Sequence, residues 1–406
     1  MVYDFNKLID RRGTGSHKWN QMYEWNNEVA EGVLPLSVAD MELYNPPQIY
    51  EGLINFIKKE PILGYTGATD EFLQAVIDWQ LKRHNWKINK EWIINTSGVV
   101  SAFNAAIRAF SNKGDGVIIF RPVYYPFSSA INNNGRKEVN VPLIENENNY
   151  TIDFEGFERA ASRKENKILL FCSPHNPVGR VWTRNELEQL ADIAVRHKLY
   201  VISDEIWYDF VAPDKKHTVL HKISGDLQKR LITCIASSKT FNLAGLETSS
   251  IIISDDKIRN EYALEVKRSN CSAGNILGFE ATRIAYTECE EWLDQLLELV
   301  YMNQKMVNKF FLENYPQIKA PISEGTYLQW VDFRALDMDD KQRKAFLNQN
   351  QFFTGQGKMF GPEGSGFERI NVALPNKALR MLLNKLLKAL QVRDEKSRRR
   401  DDYGYV

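Results

Sequence analysis

Lys239 stands in Ser237-Ser238-Lys239-Thr240-Phe241-Asn242, directly after an apolar run that ends at Ala236. A lysine at a strand end, flanked by small hydroxyl residues, can reach an aldehyde and form an imine, and burial there would lower its pKa and expose the free amine. Ser203-Asp204-Glu205 follows the run Leu199–Ile202, which puts Asp204 at a carboxyl edge where an acid can neutralise a buried cationic heterocycle. In Ser173-Pro174-His175-Asn176-Pro177-Val178-Gly179 two prolines bracket Asn176. Their rings fix φ, so the amide has one place from which to donate to a phenolate-like oxygen. Arg369, in Gly364-Ser365-Gly366-Phe367-Glu368-Arg369-Ile370-Asn371, offers a guanidinium that matches an α-carboxylate with two parallel hydrogen bonds. Taken singly, each has an ordinary reading too: a solvated lysine, a loop-capping acid, a Pro-rich turn, a surface ion pair.

The elements that must position these groups are legible as alternation. Gly116–Phe120, Lys167–Cys172, Leu199–Ser203, Leu231–Ala236 and Ser249–Ser254 are short β-rich runs suited to strands buried on both faces. Between two of them, Thr183-Arg184-Asn185-Glu186 is a capping-box pattern, with Leu187, Leu190, Ile193 and Ala194 on one face before His197 and Lys198 close the helix. Strands alternating with helices predict an α/β fold with a large doubly wound, mostly parallel sheet and active groups outside the carboxyl ends of its strands.

The ends of the chain differ. Pro46-Pro47 precedes an amphipathic helix through Ile49, Leu53 and Ile57, with Pro47 suited to a first turn. A long helix is expected from Glu290 to about Asn314, a strand over Tyr327–Phe333 and a last helix over Asn376–Val392. The predicted division is therefore a large domain over 48–288, a smaller α+β domain from 1–47 with 289–392, and a solvated tail over 393–406 that includes Arg398-Arg399-Arg400.

The chain has 406 residues, 43% of them apolar and 12% aromatic, enough for a large core and against disorder. The formal charge is zero, so nothing favours nucleic acid or an anionic membrane as partner. Cys172, Cys234, Cys271 and Cys289 are scattered without metal-ligand spacing; Cys172 and Cys234 sit in apolar runs and read as core. A reducing, cytoplasmic compartment accounts for them most simply. Residues 1–10 have no apolar h-region, and no run approaches the ~20 apolar residues of a membrane helix.

As a set, in this order, the motifs resemble the class I/II aminotransferase family of fold-type I pyridoxal-phosphate enzymes, and within it the cystathionine β-lyase (C–S lyase) branch. The resemblance rests on Val38-Ala39-Asp40-Met41, Gly64-Tyr65, Pro122-Val123-Tyr124-Tyr125-Pro126-Phe127, Pro174-His175-Asn176-Pro177-Val178-Gly179, Ser203-Asp204-Glu205-Ile206-Trp207, Ser238-Lys239-Thr240-Phe241-Asn242-Leu243-Ala244-Gly245-Leu246 and Glu324-Gly325-Thr326-Tyr327-Leu328-Gln329-Trp330. It runs from about residue 30 to 375. It implies pyridoxal 5'-phosphate as cofactor, held by Lys239 as a Schiff base, with Lys239 then moving the proton at the substrate Cα. It implies that Asp204 pairs with the ring nitrogen, Asn176 with the ring's phenolic oxygen, and that Tyr124 stacks on the ring. The phosphate would rest on the N–H groups of Gly98, Val99 and Val100, where a helix from about Ala102 begins, with Ser237 and a partner subunit's Tyr65 as hydroxyl donors. Arg369 would grip the substrate carboxylate, with backbone near Ala39 closing over it. A homodimer and an amino-acid substrate follow from the same likeness.

Three positions depart from the family's pattern. Many of its aminotransferases carry a phosphate-binding Arg eight residues after the Schiff-base lysine, where this chain has Glu247; the lyase branch commonly lacks it as well. Trp207 stands where aminotransferases often place a Tyr, and Ser37 where the branch usually has Trp before Val-Ala-Asp, which could enlarge or wet the substrate entrance. The lyase reading expects cystathionine or an S-substituted cysteine cleaved to a thiol, pyruvate and ammonia. The alternative is an aminotransferase using the same residues, and a further one is a regulatory or binding protein built on the same fold.

Overall fold

The computed structural model describes residues 1–147, 149–269 and 274–403, with side chains as far as residue 396. Cys271 and the side chains of Arg398-Arg399-Arg400 lie outside the described residues. The chain forms two compact units. The larger comprises Met1, Asn45–Leu297 and Ser323–Thr326, and the smaller takes Val2–Tyr44, Glu298–Ile322 and the residues from Tyr327 onward.

These limits differ from 48–288 for physical reasons. Asn45 belongs with the larger unit because its Nδ2 donates to the carbonyls of Phe241 (2.6 Å) and Asn242 (3.1 Å). Ser323–Thr326 belongs there because Glu324 pairs with Arg180 Nε (2.8 Å) and Lys215 Nζ (3.1 Å) and accepts from the Val181 N–H (3.0 Å). The later boundary falls inside the helix Glu290–Asn314 rather than before it.

The strands of the larger unit are β1 (Ile93–Thr96), β2 (Gly116–Ile119), β3 (Lys137–Asn140), β4 (Ile144–Asn146), β5 (Asn149–Thr151), β6 (Asn166–Cys172), β7 (Tyr200–Asp204), β8 (Leu231–Ile235) and β9 (Ser249–Ile252). Seven of them form one sheet in the order β1-β9-β8-β7-β6-β2-β3, while β4 and β5 make a separate hairpin. From β3 through β8 all neighbours are parallel; β9 runs against both β8 and β1. The five apolar runs are all strands. β1 and β3 were not foreseen, and β3 is a half-exposed edge strand whose Lys137 and Glu138 break the apolar signature.

Ile168, Leu170, Ile202, Ile232 and Ile251 from this sheet pack with Phe103, Ala106 and Ile107 of the helix Val99–Phe110, because a strand buried on both faces needs apolar partners on each. That helix begins three residues before the expected Ala102, behind Gly98. Helix Arg184–Arg196 carries the expected capping box, with Glu186 N–H on Thr183 Oγ1 and Thr183 N–H on Glu186 Oε2, and buries Leu187, Leu190, Ile193 and Ala194. Helix Pro47–Lys59 starts on Pro47 but buries Ile49 and leaves Ile57 exposed, so its apolar stripe is not wholly a core face.

The smaller unit holds an antiparallel sheet of β10 (Leu328–Asp332), β11 (Gly355–Gln356) and β12 (Phe367–Asn371) in the order β10-β12-β11. With it go the helices His17–Trp25, Asp340–Gln349 and Asn376–Tyr403. The last helix runs on past Val392, where a free tail was expected. Arg393 Nη2 bonds the Leu336 carbonyl, Asp394 accepts from Tyr315 OH (3.0 Å), and no Gly or Pro interrupts residues 393–403. Among the described residues no helix is long and apolar enough to cross a membrane.

Candidate active site

In the larger unit β6, β7 and β8 run parallel and in register, so that Cys172, Asp204 and Cys234 are lateral neighbours. The loops that carry Asn176, Glu205 and Lys239 therefore leave one edge of the sheet side by side. Asp204 is buried at that edge and accepts from the Ile206 N–H (3.2 Å). Burial pushes its carboxyl up to about 7, against the opposing pull of that N–H and of the Lys239 charge. A cation laid against Asp204 would ionise it.

The Asn176 loop is tied at several points. Cys172, whose thiol burial keeps protonated, donates through Sγ to the Pro174 carbonyl (3.3 Å) and accepts from the Asn176 N–H (3.4 Å). His175 is fully buried, and burial pulls its pKa down to about 4. Neutral at Nδ1, it donates from Nε2 to the Pro122 carbonyl (2.9 Å), which joins this loop to the one bearing Tyr124. Gly325 closes on the same loop: a Cβ there would meet Pro174 Cβ at 2.9 Å and Val181 Cγ2 at 2.9 Å, so only glycine fits. Tyr124 is half-buried, edge-on to Phe127 with ring centroids 6.2 Å apart.

Lys239 lies on the single helical turn Ser237–Thr240 that follows β8. Its Nζ sits 5.6 Å from the ring centroid of the buried Trp207, within cation–π range. Ser237 Oγ shares a hydrogen bond with Thr282 Oγ1 (2.8 Å) at one end of the turn, and Thr240 Oγ1 donates to Asp209 Oδ2 (2.7 Å) at the other. At the tip of β1, Gly98 takes φ +82° and leads into the helix Val99–Phe110; open space surrounds the position a Cβ would occupy. The first N–H groups of that helix have no acceptor within it, which suits an anion. Val99 is buried and Val100 exposed. Tyr65 stands fully exposed in a stretch, 57–65, that is exposed throughout.

The smaller unit builds a second, different arrangement. Arg369, on β12 between Trp330 and Gly355, is buried with its guanidinium 4.7 Å from the Phe360 ring centroid. Its Nη2 donates to the Ser37 carbonyl (2.8 Å). The next carbonyls are taken in turn: Val38 by Asn371 Nδ2 (2.7 Å), Ala39 by Tyr327 OH (2.9 Å), and Asp40 by Asn371 Nδ2 (2.7 Å) and Lys18 Nζ (2.9 Å). The Leu36 carbonyl accepts from the Asn371 N–H (2.9 Å). Five successive carbonyls are thus engaged. Because a peptide group is planar, fixing each C=O also fixes the N–H that follows it.

A family model described as aminotransferase class I and II matches residues 31–386. The chain belongs to the class I and II aminotransferase family. Cystathionine beta-lyase PatB of Bacillus subtilis is 34% identical over 388 residues, covering 95% of this chain and 100% of that one. Cystalysin from Treponema denticola, whose crystal structure contains pyridoxal 5'-phosphate, superposes with a TM-score of 0.95 at 47% identity, covering 96% and 99% of the two chains. A PLP-bound C–S lyase from Staphylococcus hominis gives a TM-score of 0.88 at 29% identity over 96% and 98%.

Within this family member the structure brings Asn176, Asp204, Ser237 and Lys239 to one sheet edge, and ties Tyr124 to it through His175. It brings Arg369 and the Ala39 backbone together in the smaller unit, and leaves Tyr65 outward. Sequence reading gave no role to His175, Asp209, Tyr327, Asn371 or Lys18. His175 and Tyr327 lie inside motifs that carry the resemblance; Lys18 and Asp209 carry no local mark. Of the departures, Trp207 backs Lys239 and Glu247 is exposed. Ser37 is buried, and its Oγ has no hydrogen-bond partner among the described residues.

Proposed function

We propose that this protein is a pyridoxal-phosphate-dependent C–S β-lyase that cleaves cystathionine or S-substituted cysteines to a thiol, pyruvate and ammonia. The observation that carries the reading is the strand-edge alignment of Asn176, Asp204 and Lys239, in a chain 47% identical to cystalysin. The residues present fit the cofactor. A buried carboxyl pushed up to about 7, with one backbone donor, is the partner a protonated ring nitrogen needs. An open glycine-led helix start is the seat a phosphate needs.

Pyridoxal phosphate, when bound, supplies an electron sink that eases bond breaking at the substrate's α- and β-carbons. Lys239 would hold it covalently, Asp204 would accept from its ring nitrogen, Asn176 would donate to its ring oxygen, and Tyr124 would cover its face. The N–H groups of Val99 and Val100, with Ser237 Oγ, would hold the phosphate; that of Gly98 donates to the Thr96 carbonyl (2.9 Å) and would have to turn from it to join them. Arg369 would grip the substrate carboxylate, with the fixed backbone at Ala39 beside it. Lys239 Nζ, displaced by the substrate amine, would take the α-proton. Protonated, Lys239 or a nearby tyrosine would then give a proton to the departing sulfur.

A homodimer is part of the proposal, with Tyr65 reaching a second copy's phosphate. The exposed stretch around it presents Ile62 (79% exposed), Leu63 (58%) and Tyr65, an apolar face suited to burial against another subunit. Cys172, Cys234 and Cys289 are free and buried, which suits a reducing, cytoplasmic compartment. The aminotransferase reading is favoured by the family model and shares every residue named, so product analysis separates the two. Supplied with an S-alkyl cysteine or cystathionine and no oxo-acid, the lyase releases thiol and pyruvate catalytically. Turnover that depends on added 2-oxoglutarate would instead establish the transferase.

A further inference from the structure

Beneath the Lys239 turn lies a buried polar cluster that none of these roles uses. Asp209 accepts from three side chains: Thr240 Oγ1 (2.7 Å) and Trp79 Nε1 (3.3 Å) on Oδ2, and His84 Nε2 (2.8 Å) on Oδ1. All four residues are buried or nearly so. His84 stacks on Tyr208 with centroids 4.2 Å apart, and Tyr208 OH meets both Gln80 Nε2 (3.0 Å) and Tyr286 OH (3.1 Å). Trp79 in turn stacks on Tyr286 at 4.8 Å. Asp209 therefore sits in a rigid aromatic socket, and Thr240, the residue next to Lys239, is its link to the site.

We propose that Asp209 is a positioning residue for Lys239, acting through Thr240, and the inference rests on the cofactor reading above. A four-residue turn has too few internal hydrogen bonds to set its own rotation. The Ser237–Thr282 bond fixes where the turn begins. The Thr240–Asp209 bond fixes how far it has rotated when Lys239 is reached, and hence that Nζ lies over Trp207. A hydrogen bond to a buried carboxylate resists rotation more than one to a neutral acceptor.

The test compares holoenzymes carrying Thr240→Val, which keeps the shape and removes the hydroxyl, Thr240→Ser, which keeps the hydroxyl, and Asp209→Asn. The readouts are the pH midpoint of the visible absorbance of the Lys239-bound cofactor, its visible circular dichroism, and the cofactor dissociation constant. Thr240→Val is expected to weaken cofactor binding about tenfold, the effect of losing one charge-assisted bond. It is also expected to lower the midpoint by about half a unit as Nζ leaves the Trp207 face. Thr240→Ser is expected to match the parent protein. Asp209→Asn carries the same readings if Thr240→Val does not fold. A Thr240→Val holoenzyme with parental midpoint and affinity overturns the proposal, and so does a Thr240→Ser variant as impaired as Thr240→Val. Borohydride reduction of the parent protein separates the two levels. No pyridoxyl group on Lys239 overturns the functional reading itself, whereas a labelled Lys239 with unchanged variants overturns only the role of Asp209.

Discussion

The turn that carries Lys239 is fixed through its side chains, whereas the stretch around Ala39 is fixed through its backbone. In the first, Ser237 and Thr240 each hold one bond to a buried partner, and the reactive side chain between them extends from a short, clamped arc. In the second, carbonyls from Leu36 to Asp40 each accept from a donor, with Asn371 supplying three of the bonds. A side chain that moves a proton needs an exact origin and a tip that can swing. A backbone that receives a carboxylate has no such reach, so its planes themselves must be set. Substitutions should therefore act locally on the first region and cooperatively on the second.

The largest effect tests the first region. Lys239→Ala is expected to abolish the absorbance of the lysine-linked cofactor and to lower turnover by at least about 1,000-fold. Retention of turnover would remove Lys239 from the centre of the comparison. Arg369→Ala tests the second region and is expected to weaken substrate binding by about 2–4 kcal/mol while the cofactor spectrum stays unchanged. A spectral change would mean that the two regions do not divide the work.

Acidification reaches the first region through His175. Its folded pKa of about 4 lies below the ordinary 6.5, so the unfolded chain binds a proton that the folded chain refuses between those values. Stability is complete above about pH 6.5 and falls as pH drops towards 4, by about 2–3 kcal/mol for this group. His221, also drawn down to about 4 by burial, adds in the same direction. The buried carboxyls of Asp204 and Glu368, pushed up to about 7, act oppositely over the same window, so the check is a difference: the parent's urea midpoint should drop relative to that of His175→Asn as pH falls through it.

Tyr327→Phe removes the donor on the Ala39 carbonyl and is expected to cost about 1–2 kcal/mol. It should raise KM several-fold with the cofactor spectrum intact. An unchanged KM would show that the neighbouring carbonyl bonds hold the plane alone. The smallest effect belongs to Ser37→Ala. A buried hydroxyl without a partner contributes nothing that alanine lacks, so stability should hold or rise by about 1 kcal/mol at most. Lost activity in that variant would assign Ser37 Oγ to the substrate.

Much of the first region was legible in the sequence, because each chemical group directly follows a β-rich run, and parallel strands in register bring such ends together. The partners that aim them were not. Trp79, His84 and Asp209, which lie behind Thr240, are spread over 130 residues and none belongs to a periodic pattern that distinguishes it from core. The second region was legible as Arg369, as a resemblance at Val38-Ala39-Asp40 and as the motif that holds Tyr327, whereas Lys18 looks like a surface residue until the fold buries it and Asn371, two residues after Arg369, carries no mark of its bonds. In the fold, β3 escaped because an edge strand keeps its charged residues. The final helix outran its expected end because Arg393 and Asp394 are held by residues far away in the chain.

Arg180 gives the chain's biosynthesis a constraint of its own. Its guanidinium is buried between Glu186 and Glu324, the latter in a four-residue piece contributed to the larger unit from beyond Leu297. A ribosome delivering the chain from its N-terminus must expose residue 324 of 406 before that cation gains its second carboxylate. Until then that cation has Glu186 but not Glu324, so nascent chains halted before Glu324 has left the ribosome should remain protease-sensitive in the Asn176 loop, and chains long enough to release it should not.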